Sequence, residues 1–337
     1  MINNSSNLNP KLFDSDIEQV PTRTGFGEGL VLAAEENKQV VGLCADLTES
    51  TRMQDFAEKF PERFFEVGVA EQNMVTVAAG MALGGKIPFT ASYATFSPGR
   101  NWEQIRTTIC YNDVPVKIIG SHAGVSVGPD GATHQALEDI AMMRALPNMI
   151  VISPADSIEA KKATQAIARI STPCYMRLSR EKSPVITTEQ TPFEIGKAEV
   201  FNDPSTSSGQ ADATIIATGQ MVHRALLSAK ELEKKKISVR VINCHTIKPL
   251  DKDTILKAAQ ETGAIVTAEE HQITGGLGGA VSELVSQNFP VPIKIIGIED
   301  RFGESGEPNE LLKKFGLTVD NISKAVKQVL KMKRAKL

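Results

Sequence analysis

Apolar and polar positions along the chain fall into two alternating textures. Short β-rich runs recur at residues 40–44, 64–67, 87–90, 114–119, 149–152 and 174–178. Between most of them lie segments whose apolar residues return at helical spacing, at 29–37, 71–83, 102–110, 137–146 and 158–170. Strand–helix alternation of this kind predicts a mainly parallel sheet covered by helices on both faces. Asp156 or Ser157, followed by Glu159, marks a helix N-cap, and Gly84-Gly85 marks a helix end. The texture changes after Arg180: residues 183–210 are rich in Pro, Thr, Ser and Gly, and 202–209 read as a flexible loop. A second alternation follows, with strands expected at 213–218, 239–243, 264–268 and 293–297 and helices at 222–235, 253–262, 279–287 and 321–331. The expected fold class is α/β, with two parallel-sheet three-layer α/β/α domains at 21–182 and 213–337. A linker at 183–212 joins them, and a polar tail at 1–20, disordered by default, precedes them.

Composition narrows the function classes. Apolar residues make up 41% and charged residues 23%, an ordinary balance for a chain that buries real cores. A net charge of −3 offers no nucleic-acid surface, and the basic stretch at 331–337 reads as a solvated helix end. Cys44, Cys110, Cys174 and Cys244 lie far apart with no C-x-x-C pair. That spacing argues against a metal cluster or a disulfide framework and fits a reducing cytoplasm. The first twenty residues carry no apolar run, so no secretory signal is expected, and no stretch is long and apolar enough to span a bilayer.

Five segments carry candidate chemistry. In Val67-Gly-Val-Ala-Glu-Gln-Asn-Met74 a strand ends and a helix begins at Glu71. Ligands of open parallel sheets sit at the carboxyl ends of strands; the same carboxylate would also suit a helix dipole. Residues 87–97 run from a strand into a loop bearing Tyr93 and Phe96, which read either as a stacking surface for a heterocycle or as core packing. The Gly-rich stretch Gly120-Ser-His-Ala-Gly-Val-Ser-Val-Gly-Pro-Asp-Gly-Ala-Thr-His-Gln135 holds His122, Asp130 and His134. Neither histidine matches a zinc spacing, which favours binding of a polar substrate through imidazole. Arg177-Leu-Ser-Arg180, at another strand end, offers guanidinium forks suited to phosphate or to surface ion pairs. Residues 269–279 look like a Gly-rich phosphate loop but lack both G-x-G-x-x-G and a P-loop lysine.

Taken in order, Ala45-Asp-Leu47, G-V-A-E-Q-N-M, T-A-S-Y-A-T-F, the double-histidine loop and L-S-R resemble the transketolase family over nearly all of the chain after Pro21. The resemblance covers the family's pyrimidine-binding and C-terminal domains. It implies two-carbon ketol transfer from a ketose phosphate to an aldose phosphate with thiamine diphosphate, as in pentose phosphate interconversion. Glu71 matches the glutamate that bonds the aminopyrimidine ring nitrogen, a role that requires a buried carboxyl able to share a proton. Phe96 matches the ring that stacks on the pyrimidine, with Tyr93 beside it where phenylalanine is more usual, and Asp46 matches a strand exit near the cofactor. His122, Asp130 and His134 match positions that contact the sugar hydroxyls and the bond that breaks. Arg23, Ser50 and Arg180 match positions that hold the substrate phosphate. The stretch 97–102 looks one residue longer than in many relatives, so the resemblance assigns nothing there.

The half of the family that holds Mg²⁺ and the diphosphate uses a Gly-Asp-Gly segment, and that string occurs nowhere in this chain. The resemblance therefore implies the C-terminal subunit of a split transketolase. An N-terminal partner subunit would hold Mg²⁺, and the chain would self-associate into a dimer or a two-plus-two assembly. A deoxyxylulose-phosphate synthase fragment, a 2-oxo-acid dehydrogenase beta-type subunit and a non-catalytic paralogue are the alternatives. The double-histidine loop and Leu178-Ser-Arg180 favour sugar-phosphate chemistry over them.

Overall fold

A computed structural model describes residues 2–204 and 209–335. The first half contains β1 (Gln19–Pro21), α1 (Thr22–Glu36), β2 (Val40–Cys44), α2 (Gln54–Lys59), β3 (Phe64–Glu66), α3 (Glu71–Leu83) and β4 (Ile87–Tyr93). It continues with α4 (Trp102–Gln104), extended by a π-helical stretch at Ile105–Cys110, then β5 (Lys117–Ser121), α5 (Asp139–Arg144), β6 (Ile150–Ile152), α6 (Ser157–Ala168), β7 (Cys174–Arg177) and β8 (Lys182–Pro184). The second half contains β9 (Glu199–Asn202), β10 (Ala213–Ala217), α7 (Met221–Glu233), β11 (Val239–Asn243), β12 (Thr246–Lys248) and α8 (Lys252–Thr262). It ends with β13 (Ile265–Gln272), α9 (Leu277–Asn288), β14 (Ile293–Ile298), α10 (Pro308–Lys314) and α11 (Val319–Ala335).

Among the described residues two mainly parallel sheets result, as the alternation predicted, beside a two-stranded antiparallel pair of β1 and β8. The first has seven strands in the order β12-β6-β7-β5-β4-β2-β3, parallel except for β12. The second has the order β14-β13-β10-β11-β9, parallel except for β9. The central strands are buried along their whole length, as strands covered on both faces must be. One apolar cluster, including Leu43, Met74, Ile118, Ile216, Ile242 and Leu277, runs without a break from one face of the first sheet to one face of the second. Separate clusters fill the two outer faces, under α1 and α6 on one side and under α7 and α11 on the other.

Several elements lie outside the sequence reading. Helix α1 begins at Thr22 rather than near Gly29. Its glycines lower intrinsic helix propensity, but Gly25 lies so close to the backbone of Ser157 in α6 that a Cβ would collide with it, and this packing holds the helix together. Strand β5 starts three residues later than expected, past Pro115, which has no N–H to give to a ladder. Strand β12 belongs to the second half of the chain yet completes the first sheet against β6.

Residues 2–18, expected as a disordered tail, are docked instead. Asn3 donates its backbone N–H to Phe201 (2.9 Å), Ile2 bridges Asn202, and Leu12 and Ile17 are buried in the cluster under α7. These apolar residues are scattered among polar ones, so they form no run that a sequence scan would catch. The segment expected as a linker contains β8, paired with β1, and β9, paired with β11. Residues 205–208 of its expected flexible loop lie outside the described residues. Among the described residues no helix is long and apolar enough to cross a membrane. The four cysteines are buried free thiols.

Candidate active site

From β2 the chain runs to β3 on one side and then crosses back to β4 on the other. Such a switch opens a crevice above the carboxyl ends of the strands. The loops after β2, β3, β4, β5 and β7, with the end of β4 and the first turn of α1, carry the candidate residues of the first sheet.

Glu71 is the first residue of α3 and is only 2% exposed. Its carboxylate Oε2 accepts from the Arg100 guanidinium at 2.8 Å, and its backbone carbonyl accepts from Asn101 Nδ2 at 2.9 Å. Asn101 is itself fully buried and also donates to Ser97 Oγ (3.1 Å). Two contacts thus fix the orientation of the Glu71 peptide and of its side chain.

Next to this carboxyl lies a group of rings. Tyr93, at the end of β4, stacks on His122 with centroids 3.8 Å apart, and on Phe96 at 6.0 Å. His134 meets Phe96 edge-on at 5.4 Å and Tyr93 at 6.1 Å. The Arg100 guanidinium lies over the Phe96 ring, 4.7 Å from its centroid. The Tyr93 hydroxyl makes no hydrogen bond among the described residues, so it remains open to a ligand.

His122 follows β5 with φ +56, a left-handed turn that brings its ring back over Tyr93. Its Nδ1 shares a hydrogen bond with Ser121 Oγ at 2.9 Å. Burial first, then the nearby charges of Arg23, Arg180 and His134, push its pKa down to about 3. His122 is therefore a neutral imidazole at physiological pH, with one nitrogen to donate and one to accept. His134 Nδ1 bonds Thr133 Oγ1 at 2.9 Å. Asp130 is exposed on the same loop.

Beyond His122 lies a cationic group. Arg23, in the first turn of α1, donates to the Ser50 backbone carbonyl at 2.6 Å, and its buried Nε has no partner. Burial first, then Arg52 and Arg180, pull its pKa below the ordinary value. Arg180 donates to the Val127 carbonyl (2.6 Å) and faces Glu181 at 3.4 Å. Thr22 and Ser179 clamp the two arginine-bearing segments together: Ser179 N–H donates to Thr22 Oγ1 at 2.8 Å. Guanidinium groups of Arg23, Arg52 and Arg180 gathered in this way are chemically suited to an anion.

The remaining candidates have surroundings of their own. Asp46 is exposed beyond β2; its backbone N–H bonds Glu66 Oε1 (2.7 Å), and its carboxylate takes no hydrogen bond among the described residues. Arg177 is not free for phosphate, because its Nε donates to buried Asp139 (2.9 Å) and its terminal nitrogen to the Glu270 carbonyl (2.7 Å). The Gly-rich stretch at 269–279 holds no anion either. Glu269 already fills the start of α9, accepting from Leu277 N and Gly278 N at 2.7 Å each. Sequence reasoning left out Arg100 and Asn101, which sit in the stretch that looked one residue long, and Arg52, whose exposed side chain carries no pattern.

The double-histidine loop rests on the second half of the chain. Glu270 accepts from Ser126 N (2.7 Å) and from Gln220 Nε2 (2.9 Å), while Gln135 Nε2 donates to the Glu304 carbonyl (2.9 Å). Gly124, at φ +93, is required here because a Cβ would strike the Glu270 carboxylate.

A buried carboxyl beside an aromatic face, at the strand ends of an open α/β sheet and next to a cation cluster, is an arrangement chemically suited to a flat heterocycle and an anion. Comparison with known proteins specifies the class. The family model described as "Transketolase, pyrimidine binding domain" matches residues 18–185, and "Transketolase, C-terminal domain" matches 205–322. A "Putative transketolase C-terminal section" from Methanocaldococcus jannaschii is 44% identical over 92% of this chain and 96% of its own length. The "6-deoxy-6-sulfo-D-fructose transketolase subunit SqwH" of a Clostridium species is 39% identical over 95% and 98%. A solved structure described as "Split gene transketolase, inactive beta4 tetramer" superposes with a TM-score of 0.85 at 42% identity, covering 94% of this chain and all of that one. The chain belongs to the transketolase family. Within it, the chain has the extent and domain content of the C-terminal subunits of split transketolases.

Proposed function

We propose that this chain holds the pyrimidine end of thiamine diphosphate and the sugar substrate in a two-chain transketolase. The reading is carried by Glu71, a buried carboxyl that meets a planar cationic group in the same place as the face of the Phe96 ring. That donor set fits an aminopyrimidine, since one side of the site takes a ring N–H and the other a ring face. When bound, the cofactor supplies a nucleophilic carbon for breaking a bond next to a ketose carbonyl.

The chain's own residues do the rest. Glu71 holds a proton at the ring nitrogen, and Phe96 and Tyr93 keep water off the pyrimidine. Neutral His122, with Asp130, binds the sugar hydroxyls, and His134 accepts the hydroxyl proton as the C2–C3 bond opens. Arg23, Ser50 and Arg180 hold the anion at the far end of the sugar, a phosphate in this reading. Asp46 borders the cofactor from the β2 exit. An N-terminal subunit supplies Mg²⁺ and the diphosphate site, in a two-plus-two assembly working on sugar phosphates in the cytoplasm. The names of the relatives as a "section" or a "subunit" support the division into two chains.

Substitution of Glu71 tests the assignment. Glu71→Gln should cut ketol transfer by about 10²–10⁴-fold, the range for loss of an acid–base group, with thermal unfolding unchanged. Near-normal turnover in Glu71→Ala would remove Glu71 from the chemistry.

A further inference from the structure

Arg100 makes the same two contacts that the aminopyrimidine is assigned. Its guanidinium is planar and cationic, bonds Glu71 Oε2 at 2.8 Å, and lies 4.7 Å from the centre of the Phe96 ring. While Arg100 bonds Glu71 Oε2 and lies over Phe96, a second flat ring cannot take that same position. The two ends of the ion pair also differ in freedom: the Glu71 side chain is 2% exposed, whereas that of Arg100 is 49% exposed. The carboxylate is fixed at the start of α3 and the arginine is the part able to move.

We infer that Arg100 is a placeholder for the cofactor ring, seated on Glu71 and Phe96 in the free subunit and displaced when the pyrimidine binds. The inference rests on the reading of Glu71 and Phe96 as the pyrimidine site. Without Arg100, Glu71 would be a buried carboxylate with no cation beside it whenever no cofactor is bound, which is costly. With it the subunit is stable before it meets its partner, and the cofactor must compete for the site. Because half of the arginine side chain is in water, the pair is only modestly favourable. The closed form thus taxes cofactor affinity by a modest factor, set by the fraction of subunits whose site is open.

The test is calorimetric titration of thiamine diphosphate with Mg²⁺ into the full chain assembled with its N-terminal subunit. Wild type, Arg100→Ala, Arg100→Lys, Glu71→Ala and the Arg100→Ala/Glu71→Ala double variant are compared, each first checked by thermal unfolding. Arg100→Ala should bind about tenfold tighter than wild type, equivalent to about 1.4 kcal/mol. Arg100→Lys, which keeps the charge but loses the planar fork, should bind with an affinity between the two. The gain should vanish in the double variant, which lacks the carboxyl that both rings use. If Arg100→Ala binds equally or more weakly while Glu71→Ala still weakens binding, Arg100 is no placeholder although the pyrimidine site stands. If Glu71→Ala binds like wild type, the pyrimidine-site reading itself fails.

Discussion

His122 shows how local geometry sets chemistry at the level of one side chain. Its position after β5 in a left-handed turn, stacked on Tyr93 and hemmed in by Arg23 and Arg180, keeps it neutral. An unfolded histidine takes up its proton near pH 6.5, whereas this one does so near 3. Its contribution to stability is therefore complete above pH 6.5 and is lost as pH falls from there toward 3. Its imidazole NMR signals should stay flat between pH 8 and 5; a transition near 6.5 would contradict the site as described. Arg180→Ala should mainly raise KM for phosphorylated sugars, by about tenfold, with kcat little changed, and an unchanged KM would take Arg180 out of the anion site. The positions of Glu71, Phe96, His122 and His134 were legible because each lies in a motif next to a strand end. Arg100 and Arg52 were not, since what defines them is a contact across a loop rather than a spacing.

Among the elements, α6 ties several distant segments together. Asp156 caps it, accepting from Glu159 N at 2.9 Å, and also accepts from Ile186 N (2.8 Å), Thr187 N (2.6 Å) and Thr187 Oγ1 (2.8 Å). The cap that the sequence announced is thus also the anchor of the segment between the two sheets, a role no local pattern encodes. One turn on, Glu159 bonds Asn243 of β11 (2.7 Å), and burial with the nearby Asp156 charge pushes its pKa up to about 8. Asp156→Ala removes a cap and leaves buried N–H groups unpaired, so urea denaturation should show a loss of about 3 kcal/mol or more. A loss below about 1 kcal/mol would mean that the anchor is unimportant. Strand and helix order was legible from alternation. Strand β12 and the docked N-terminal residues were not, because their partners are far away in sequence.

For the molecule as a whole, the second domain is a support for the site. Glu270, from β13, holds Ser126 of the loop that carries His122 and His134, and the Arg177–Asp139 pair is tied to the same strand by the Glu270 carbonyl. Glu270→Ala should speed amide hydrogen exchange across 122–135 and lower kcat/KM for ketol transfer by about tenfold; unchanged exchange would leave the domain without this role. The division of labour between two chains is the central claim. It is tested most directly by ketol transfer from xylulose 5-phosphate to ribose 5-phosphate with thiamine diphosphate and Mg²⁺, first with this chain alone and then with the N-terminal subunit added. Activity should require both chains. Transfer by this chain alone, or none from the pair, would contradict it.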